Sequence, residues 1–168
     1  MTPKAEPIVS VVMGSDSDLP IMEESTKILE QFAVPYELFL TSAHRSPART
    51  TTFAKNAEQR GVKVIIVGAG AAAHLAGVIA SETLLPVIGV PIDATSLRGL
   101  DALLATVQMP GGIPVATMAI GKAGARNAAL FAVRVLSLAD EQLKKNLHNY
   151  VKNMAREVGI KHDKLMKP

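Results

Sequence analysis

Short, unbroken apolar segments alternate with longer segments of helical periodicity along this chain, and that alternation limits its possible folds more than any other feature. Strands that are apolar at successive positions are buried on both faces, which is typical of a parallel sheet covered by helices on each side. The segments that we predict as strands cover residues 8–13, 36–40, 62–67, 87–90 and 114–118.

Helices are predicted between these strands and after the last one, where apolar residues recur at helical spacing. Pro47 suits the first turn of a helix that Ser46 would cap, and Gly61 is a stop signal for that helix. We therefore expect a single doubly wound α/β domain over residues 1–168, with its core at about 8–138. The predicted helices cover residues 19–32, 47–59, 74–83, 98–107, 123–138 and about 140–158.

The composition excludes several classes of protein. The sequence contains no Cys, which rules out a disulfide framework, a thiolate nucleophile and a thiolate metal site, and which suits a reducing compartment. No apolar segment reaches the roughly 18 residues of a transmembrane helix, and residues 1–8 lack the apolar core of a signal peptide. We therefore expect a cytoplasmic protein.

Charge and histidine spacing bear on the partners of the chain. The net charge of +3 is small, and the basic residues of the last third are mixed with acidic ones. That mixture is typical of a solvated helix face and not of a nucleic-acid-binding surface. No His, Asp and Glu residues have the spacing of metal ligands, and we expect His148 and His162 at the surface. Neither a metal, nor a nucleic acid, nor a membrane is an expected partner.

Ligands of a doubly wound sheet bind at the carboxyl ends of its strands, so chemistry is expected in the segments after the strands. Most of these segments are rich in Gly, Ser or ionisable side chains. The last of them has no ionisable group, and we expect it to form a wall of the site. The segments read GSDSD (14–18), TSAHRSP (41–47), GAGAAAH (68–74), PIDATS (91–96) and GGIP (111–114).

The GSDSD segment has the groups that a phosphorylated ribose needs. Gly14 permits a tight turn, Ser15 and Ser17 supply hydroxyl groups, and free N–H groups at a helix start attract an anion. Asp18 is a poor phosphate ligand but a good acceptor for ribose hydroxyls. Simple helix capping by Ser17 or Asp18 explains the same residues, so the segment alone leaves both interpretations open.

The TSAHRSP segment puts an imidazole beside a guanidinium where a buried strand ends. Arg45 can make a forked contact to a phosphate group. Imidazole is the side chain that titrates near neutral pH, so His44 can serve as acid or base. Because a His at the carboxyl end of a buried strand has no evident role in a core, we predict that His44 is catalytic and that Ser42 and Arg45 bind substrate.

The GAGAAAH segment has no side chain larger than a methyl group before His74. A ligand can therefore approach the backbone closely, and we predict that Gly70 is a substrate-binding residue. Close packing of a helix against the sheet needs the same small residues, and that interpretation stays open. His74 begins a predicted helix, and we assign it a supporting role in substrate binding.

Taken together, these segments resemble the class I N5-carboxyaminoimidazole ribonucleotide mutases of bacterial purine biosynthesis. The resemblance covers the chain from about residue 8 to residue 138 in the expected order, and the five motifs together are highly specific. They read VMGSDSD (12–18), SAHRSP (42–47), VIIVGAGAAAHLAG (64–77), PVIGVPI (86–92) and QMPGGIPVATMAIGKAGARNAAL (108–130).

The resemblance implies a three-layer, flavodoxin-like fold and a homo-octamer, in which the C-terminal helix at about 140–158 packs on a neighbouring subunit. It implies an isomerase of de novo purine (IMP) biosynthesis that moves a carboxylate from the exocyclic N5 to C4 of the imidazole, without metal, ATP or organic cofactor. His44 matches the signature histidine, which is expected to shuttle one proton. Ser15 and Arg45 match nucleotide-binding positions, and Asp18 is expected at the ribose hydroxyls.

The chain departs from the pattern of this family at two positions. Ala71 stands where the family often has Gly, and Ala76 stands where it often has Pro. Ala71 adds a methyl group near the expected pocket and restricts the backbone, whereas Ala76 removes some rigidity. Neither change removes a functional group, so they bear on the fine geometry of the pocket and not on the reaction.

Three other functions fit parts of the sequence. The nearest is a related carboxylase that adds CO2 directly to aminoimidazole ribonucleotide, although the segment 68–77 resembles the mutase class. A flavodoxin-like module that binds a flavin or nucleotide without catalysis fits the fold, but it leaves His44 without a role. A nucleic-acid binder that uses the basic tail would associate in a strongly salt-dependent way.

Overall fold

The computed structural model describes residues 6–166, so most of the N-terminal segment that the signal-peptide prediction concerns lies outside the described residues. Among the described residues, strands and helices alternate as predicted. The strands are β1 (Val9–Met13), β2 (Tyr36–Leu40), β3 (Val64–Gly70), β4 (Val87–Ile92) and β5 (Ala116–Thr117). The helices are α1 (Leu19–Gln31), α2 (Pro47–Ala57), α3 (Leu75–Ala80), α4 (Leu100–Val107), α5 (Lys122–Leu136) and α6 (Glu141–Leu165), and the 3₁₀ turns are Asp16–Asp18 and Glu58–Arg60.

The strands form one parallel sheet in the order β2-β1-β3-β4-β5. β1 pairs with β2 on one side, where Met13 is level with Leu40, and with β3 on the other side, where Met13 is level with Gly68. The strand order therefore changes direction at β1. The segments that follow β1, β2 and β3 leave the sheet side by side, at the edge where doubly wound sheets bind ligands.

Helices cover both faces of the sheet, which confirms the three-layer, flavodoxin-like fold. On one face, α2, α3 and α4 contribute Phe53, Ile79 and Ala102 to a core cluster that also contains Val67 and Ala69 of β3. Successive side chains of a strand point to opposite faces. A side chain at position 68 would accordingly meet Met22 of α1, which places α1 on the other face.

β3 and β4 extend further than the sequence predicts. Pairing between them continues to Gly70 and Ile92, and so it includes Pro91, which we predicted as a strand boundary. The carbonyl oxygen of Pro91 accepts a hydrogen bond from the N–H of Gly121 at 2.9 Å, on the side of β5. Since β5 pairs with only two residues of β4, both before Pro91, the missing N–H of proline interrupts no strand pairing there.

The helix ends differ from the predictions, most of all at α3 and α6. α3 is shorter at both ends, and α4 begins at Leu100 because Arg98 and Gly99 have left-handed backbone angles, with φ of 51° and 82°. α6 continues past Val158, its predicted end, and through Gly159 to Leu165. A glycine inside an exposed helix costs only about 1 kcal/mol relative to alanine, and the neighbouring turns of α6 outweigh that cost.

The chain divides after Ala132 into two compact units. In the second unit Asp140 caps the start of α6, because its side chain accepts a hydrogen bond from the N–H of Leu143 at 2.9 Å. Leu143 is buried, whereas apolar side chains further along α6, such as Val151 and Met154, are exposed. Each helix within the described residues is too short or too polar to span a membrane. That the whole chain forms one domain, with its C-terminal helix on a neighbouring subunit, stays a prediction.

An ion-pair cluster links α1 to α5 in the first unit. Glu24 is buried and accepts hydrogen bonds from Lys27 at 2.7 Å and from Arg126 at 2.6 Å. These hydrogen bonds lower the pKa of Glu24 from 4.5 to about 2, and the one from Lys27 has the larger effect. The charged carboxylate therefore stabilises the folded protein fully above pH 4.5, and this contribution is lost as the pH falls towards 2.

We expect Glu24→Gln to remove that pH-dependent contribution. The variant should be less stable than the parent at neutral pH, and the difference should shrink as the pH falls from 4.5 to about 2. Urea unfolding followed by circular dichroism at several pH values measures both free energies. Glu23→Gln, at the exposed neighbouring position, is the matched control. A parent–variant difference that stays constant across this pH range would contradict the prediction.

Candidate active site

A cavity of about 290 Å³ lies at the carboxyl ends of β1, β2 and β3, where the strand order changes direction. Four of the five segments singled out in the sequence line it, and the one after β4 contributes Ala94. His74 is not a lining residue, but it contacts one. The other predicted site residues all line the cavity; they are Ser15, Asp18, Ser42, His44, Arg45 and Gly70.

The GSDSD segment forms a loop closed by its own hydrogen bonds. The N–H of Ser15 donates to Asp18 Oδ2 at 3.0 Å, and Ser15 Oγ accepts from the N–H of Ser17 at 3.4 Å. The N–H of Asp18 donates to the carbonyl oxygen of Ser15 at 3.2 Å. The capping residue is therefore Ser15, and not Ser17 or Asp18 as the capping interpretation had it. The two hydroxyls also donate within the loop, Ser15 Oγ to Asp16 Oδ1 at 3.1 Å and Ser17 Oγ to Ser15 Oγ at 2.9 Å. A hydroxyl of this loop must therefore turn away from its present acceptor to donate to an anion.

Asp18 is the buried carboxylate of this loop. Burial raises the pKa of Asp18 above its usual value, while hydrogen bonds from the backbone of Ser15 and Gly14 and the nearby charge of Arg45 oppose that shift. The same hydrogen bonds fix the orientation of the carboxylate at the cavity wall. A carboxylate held in this way is suited to accept hydrogen bonds from hydroxyl groups of a ligand.

The TSAHRSP segment forms a turn held by its own hydroxyl groups. Ser46 Oγ accepts from the N–H of Ser42 at 3.0 Å and donates to the carbonyl oxygen of Ser42 at 3.1 Å. The buried Thr41 Oγ1 lies 3.2 Å from Ser46 Oγ and 2.9 Å from Thr50 Oγ1. Pro47 occupies the first turn of α2 as predicted, but the Ser46 side chain does not cap that helix, because its hydroxyl is used in the turn.

Arg45 connects this turn to the first loop. Its Nη2 donates to the carbonyl oxygen of Gly14 at 3.0 Å, and Ser42 Oγ accepts from the backbone N–H of Arg45 at 3.2 Å and from its Nε at 3.5 Å. A guanidinium carries five N–H donors, so several remain for a ligand. The side chain is exposed, and its position is set by two fixed contacts before any ligand binds.

The imidazoles of His44 and His74 are hydrogen-bonded to each other at this edge of the sheet. His44 Nε2 lies 2.9 Å from His74 Nδ1, and the two rings stand at 83°. One nitrogen must donate and the other accept, whereas two imidazolium rings would present only donors. The pair therefore holds at most one positive charge while this bond exists. Both rings are exposed, so they are accessible to a molecule in the cavity.

The end of β3 supplies the tightest packing around the cavity. A Cβ at Gly70 would lie 2.5 Å from Ala94 Cβ and 3.3 Å from the carbonyl oxygen of Ile92. Close packing of the chain itself therefore requires a glycine at this position. Ala71 follows with φ of 53°, in the left-handed region that favours glycine. Ala71, the first departure from the family pattern, is thus at a strained position. Ala76, the second departure, is a buried residue of α3.

The GGIP segment does not form a wall of this cavity within one chain. It precedes β5, so it lies at the amino-terminal edge of the sheet and not at the carboxyl edge that we predicted. Gly112, Ile113 and Pro114 line a separate depression of about 670 Å³ together with residues 80–88. Ala94 was not predicted, and no sequence signal other than its place after β4 points to it. Within residues 6–166, no three His, Asp or Glu side chains are grouped closely enough to hold a metal ion.

Comparison with known proteins gives a family and named relatives. A family model described as AIR carboxylase matches residues 8–157. The N5-carboxyaminoimidazole ribonucleotide mutase of Pyrococcus horikoshii is 56% identical over 160 residues, which are 95% of this chain and 89% of that protein. The protein of the same name from Bacillus subtilis is 49% identical over 161 residues, 96% of this chain and 99% of that protein.

Two further similarities concern a longer protein and a solved structure. The phosphoribosylaminoimidazole carboxylase of Candida albicans is 51% identical over 157 residues, which are 94% of this chain but 27% of the fungal protein. The crystal structure of Treponema denticola PurE is 28% identical, with a TM-score of 0.86 over 96% of this chain and 99% of that chain. The three-layer fold and the order of its elements are therefore shared with a solved structure.

We expect Ala71→Gly to relieve backbone strain beside the cavity. A left-handed conformation costs a non-glycine residue about 1–2 kcal/mol, and the freedom that glycine adds to the unfolded chain costs about 0.4–1 kcal/mol. The free energy of unfolding should therefore rise, by up to about 1.5 kcal/mol. Ala72→Gly, at a position without positive φ, should lower it by about 0.4–1 kcal/mol. Urea unfolding measures the stability of both variants. If both lose the same free energy of unfolding, the backbone at Ala71 is not strained.

Proposed function

The chain belongs to the AIR carboxylase family, and from this premise we propose that it is an N5-carboxyaminoimidazole ribonucleotide mutase. The enzyme would convert N5-carboxyaminoimidazole ribonucleotide to 4-carboxy-5-aminoimidazole ribonucleotide in de novo purine biosynthesis, which is an isomerisation. Relatives at 49% and 56% identity over nearly the whole chain bear that name. The structural observation that supports it best is the His44–His74 pair, which lies beside Arg45. The cavity next to it is lined by hydroxyl groups, a carboxylate and a guanidinium, which suit a phosphorylated ribose.

The nucleotide part of the substrate would bind to the loops after β1 and β2. Arg45 is the cation of the cavity lining and would bind the phosphate group, with the hydroxyl groups of Ser15 and Ser42 as further donors. Asp18 would accept hydrogen bonds from the ribose hydroxyls, since it is an oriented carboxylate in the same wall. With the nucleotide bound in this way, the imidazole ring of the substrate would lie near Gly70 and His44.

His44 would move one proton in each direction during the reaction. As the N5–carboxylate bond breaks and CO2 forms, His44 gives its proton to N5, which leaves aminoimidazole ribonucleotide. When CO2 bonds to C4, the proton that C4 loses returns to His44. No proton is gained or lost overall, so one imidazole is sufficient and neither metal, ATP nor an organic cofactor is required.

His74 would support His44 in this role. Because the pair holds at most one positive charge, a protonated His44 donates to a neutral His74 through the 2.9 Å bond. When substrate binds, either His44 Nε2 leaves His74 and donates to the substrate, or the proton passes to the substrate from His44 Nδ1. The contact orients the ring of His44 before substrate arrives, which favours a supporting role for His74.

We also propose the assembly and the location that the resemblance implies, a cytoplasmic homo-octamer in which α6 packs on a neighbouring subunit. Exposed apolar side chains on α4 and just before it, including Leu97, Leu100 and Leu104, lie three or four residues apart along the chain. α6 likewise exposes Val151 and Met154 one turn apart. Such surfaces are typical of contacts between subunits. With α6 contacting another copy, residues 1–168 would act as one catalytic domain.

Direct carboxylation of aminoimidazole ribonucleotide with CO2 is the second candidate function. It is favoured by the carboxylase name of the Candida albicans relative, which matches 94% of this chain. The same His44 would then only remove the C4 proton. The two functions differ in which nucleotide is the substrate, and the cavity residues serve both.

A paired assay decides between the two functions. The protein is given N5-carboxyaminoimidazole ribonucleotide without ATP, and in parallel aminoimidazole ribonucleotide with bicarbonate, and the carboxylated product is followed by absorbance. We expect rapid conversion of the first substrate and slow conversion of the second. The opposite result would show the direct carboxylase, and no product in either assay would refute both functions.

We expect His44→Asn to lower kcat by about 10²–10⁴-fold, the usual contribution of a general acid–base group. Binding of aminoimidazole ribonucleotide, measured by calorimetry, should change little because the phosphate and ribose contacts remain. His162→Asn, at an exposed position of α6 beyond the range 140–158 predicted to contact a neighbouring subunit, is the matched control and should retain full activity. A kcat within about tenfold of the parent would exclude His44 as the proton carrier.

A further inference from the structure

The segment between β4 and α4, residues 93–99, is a strained loop with one residue at the cavity. Ala94 lines the cavity, whereas Arg98 and Gly99 at the other end have left-handed φ angles of 51° and 82°. A non-glycine residue keeps such an angle only where the surrounding structure holds it. The contacts that hold this loop are therefore informative about the cavity wall.

Thr95 makes three of these contacts. Its Oγ1 donates to Asp101 Oδ2 at 2.7 Å and accepts from the N–H of Leu97 at 3.1 Å. Its carbonyl oxygen accepts from the N–H of Arg98 at 3.0 Å. One residue thus ties the loop to the first turn of α4 and closes the turn that contains the strained Arg98.

Asp101 is the α4 residue that accepts the hydrogen bond from the Thr95 hydroxyl. Its Oδ1 is buried and has no hydrogen-bond partner among the described residues. A buried carboxylate oxygen without a donor is unfavourable. The carboxylate lies in the first turn of α4, where it interacts favourably with the positive end of the helix dipole, but that effect does not require a contact with Thr95. The contact that Asp101 makes through its other oxygen is the hydrogen bond from Thr95.

The tied loop is packed closely at both of its ends. Ala94 lies so near to Gly70 that a Cβ at Gly70 would stand 2.5 Å from Ala94 Cβ. Gly99 is buried, and a Cβ there would stand 2.6 Å from Ile120 Cγ2 and 3.3 Å from Asp93 Cα. A change in the path of the loop is therefore passed to Gly70, which is part of the cavity wall.

We propose that Thr95 and Asp101 are positioning residues of the active site, because their hydrogen bond holds Ala94 against Gly70 and so fixes one wall of the cavity. Neither residue lines the cavity, so they act through Ala94 and not on the substrate. The inference rests on the proposed function, in which CO2 and aminoimidazole ribonucleotide must stay together between two steps. A loosened wall lets these intermediates escape or lie out of line for recombination.

The test compares Thr95→Val, which removes the hydroxyl at similar size, with Thr95→Ser, which keeps it. Thr95→Val should lower kcat about tenfold or more, since a displacement of about 1 Å can cost about 10²-fold. Its KM should stay within about twofold, because the nucleotide contacts lie on other loops. More aminoimidazole ribonucleotide should be released per product formed. Thr95→Ser should restore both values, and Ser96→Ala, at the exposed next residue, should match the parent.

A second measurement is independent of turnover. The N–H of Leu97 loses its acceptor in Thr95→Val, so its hydrogen exchange should be faster than in the parent and in Thr95→Ser. If exchange rises while kcat and product partition do not change, the tie exists but positions nothing, and the proposal is overturned. The proposal is also overturned if the Thr95→Val and Thr95→Ser variants give the same results in both measurements. A parent without any mutase activity refutes the proposed function, and the exchange result then still decides whether the tie holds the loop.

Discussion

The pairing of β1 between β2 and β3 is the constraint on which the rest of the structure depends. Parallel pairing in register puts Met13 level with Leu40 on one side and with Gly68 on the other, so three chain segments leave the sheet at one edge. Each segment carries different chemical groups. The first has hydroxyls and a carboxylate, the second has an imidazole and a guanidinium, and the third has mostly glycine and alanine, which expose the backbone. The cavity is therefore a consequence of strand order, and the side chains decide only what it binds.

Contacts between the segments then fix the groups that the strand order brings together. Arg45 donates to the carbonyl oxygen of Gly14, and His44 is bonded to His74, so each contact joins segments that follow different strands. Most hydrogen-bonding groups inside each loop are used by the loop itself, which makes the loops rigid before a ligand binds. The groups that remain available include the hydroxyl of Ser42, the guanidinium of Arg45, the carboxylate of Asp18 and the paired imidazoles. This set suits a phosphorylated ribose attached to a ring that exchanges a proton.

Much of the fold and of the site could be predicted from the sequence. The alternation of buried strands and helices predicted the three-layer fold, and the motifs predicted the family; both predictions are confirmed. The residues predicted for the site meet at one cavity, whereas their roles in catalysis and binding stay predictions. The errors lie where tertiary contacts override local signals: Pro91 continues a strand because β5 is short, and GGIP lies at the opposite edge because it precedes its strand.

The sequence by itself determined the periodicity of the chain, the positions of its strand ends and the chemical groups placed there, because these follow from local composition and spacing. Only the tertiary structure decided that His44 is hydrogen-bonded to His74, that Gly70 is required by the approach of Ala94, and that Thr95 connects its loop to Asp101. These contacts join different loops, or a loop to a helix, and they depend on distances of a few ångströms. No local pattern encodes such distances, because strand order and helix packing set them.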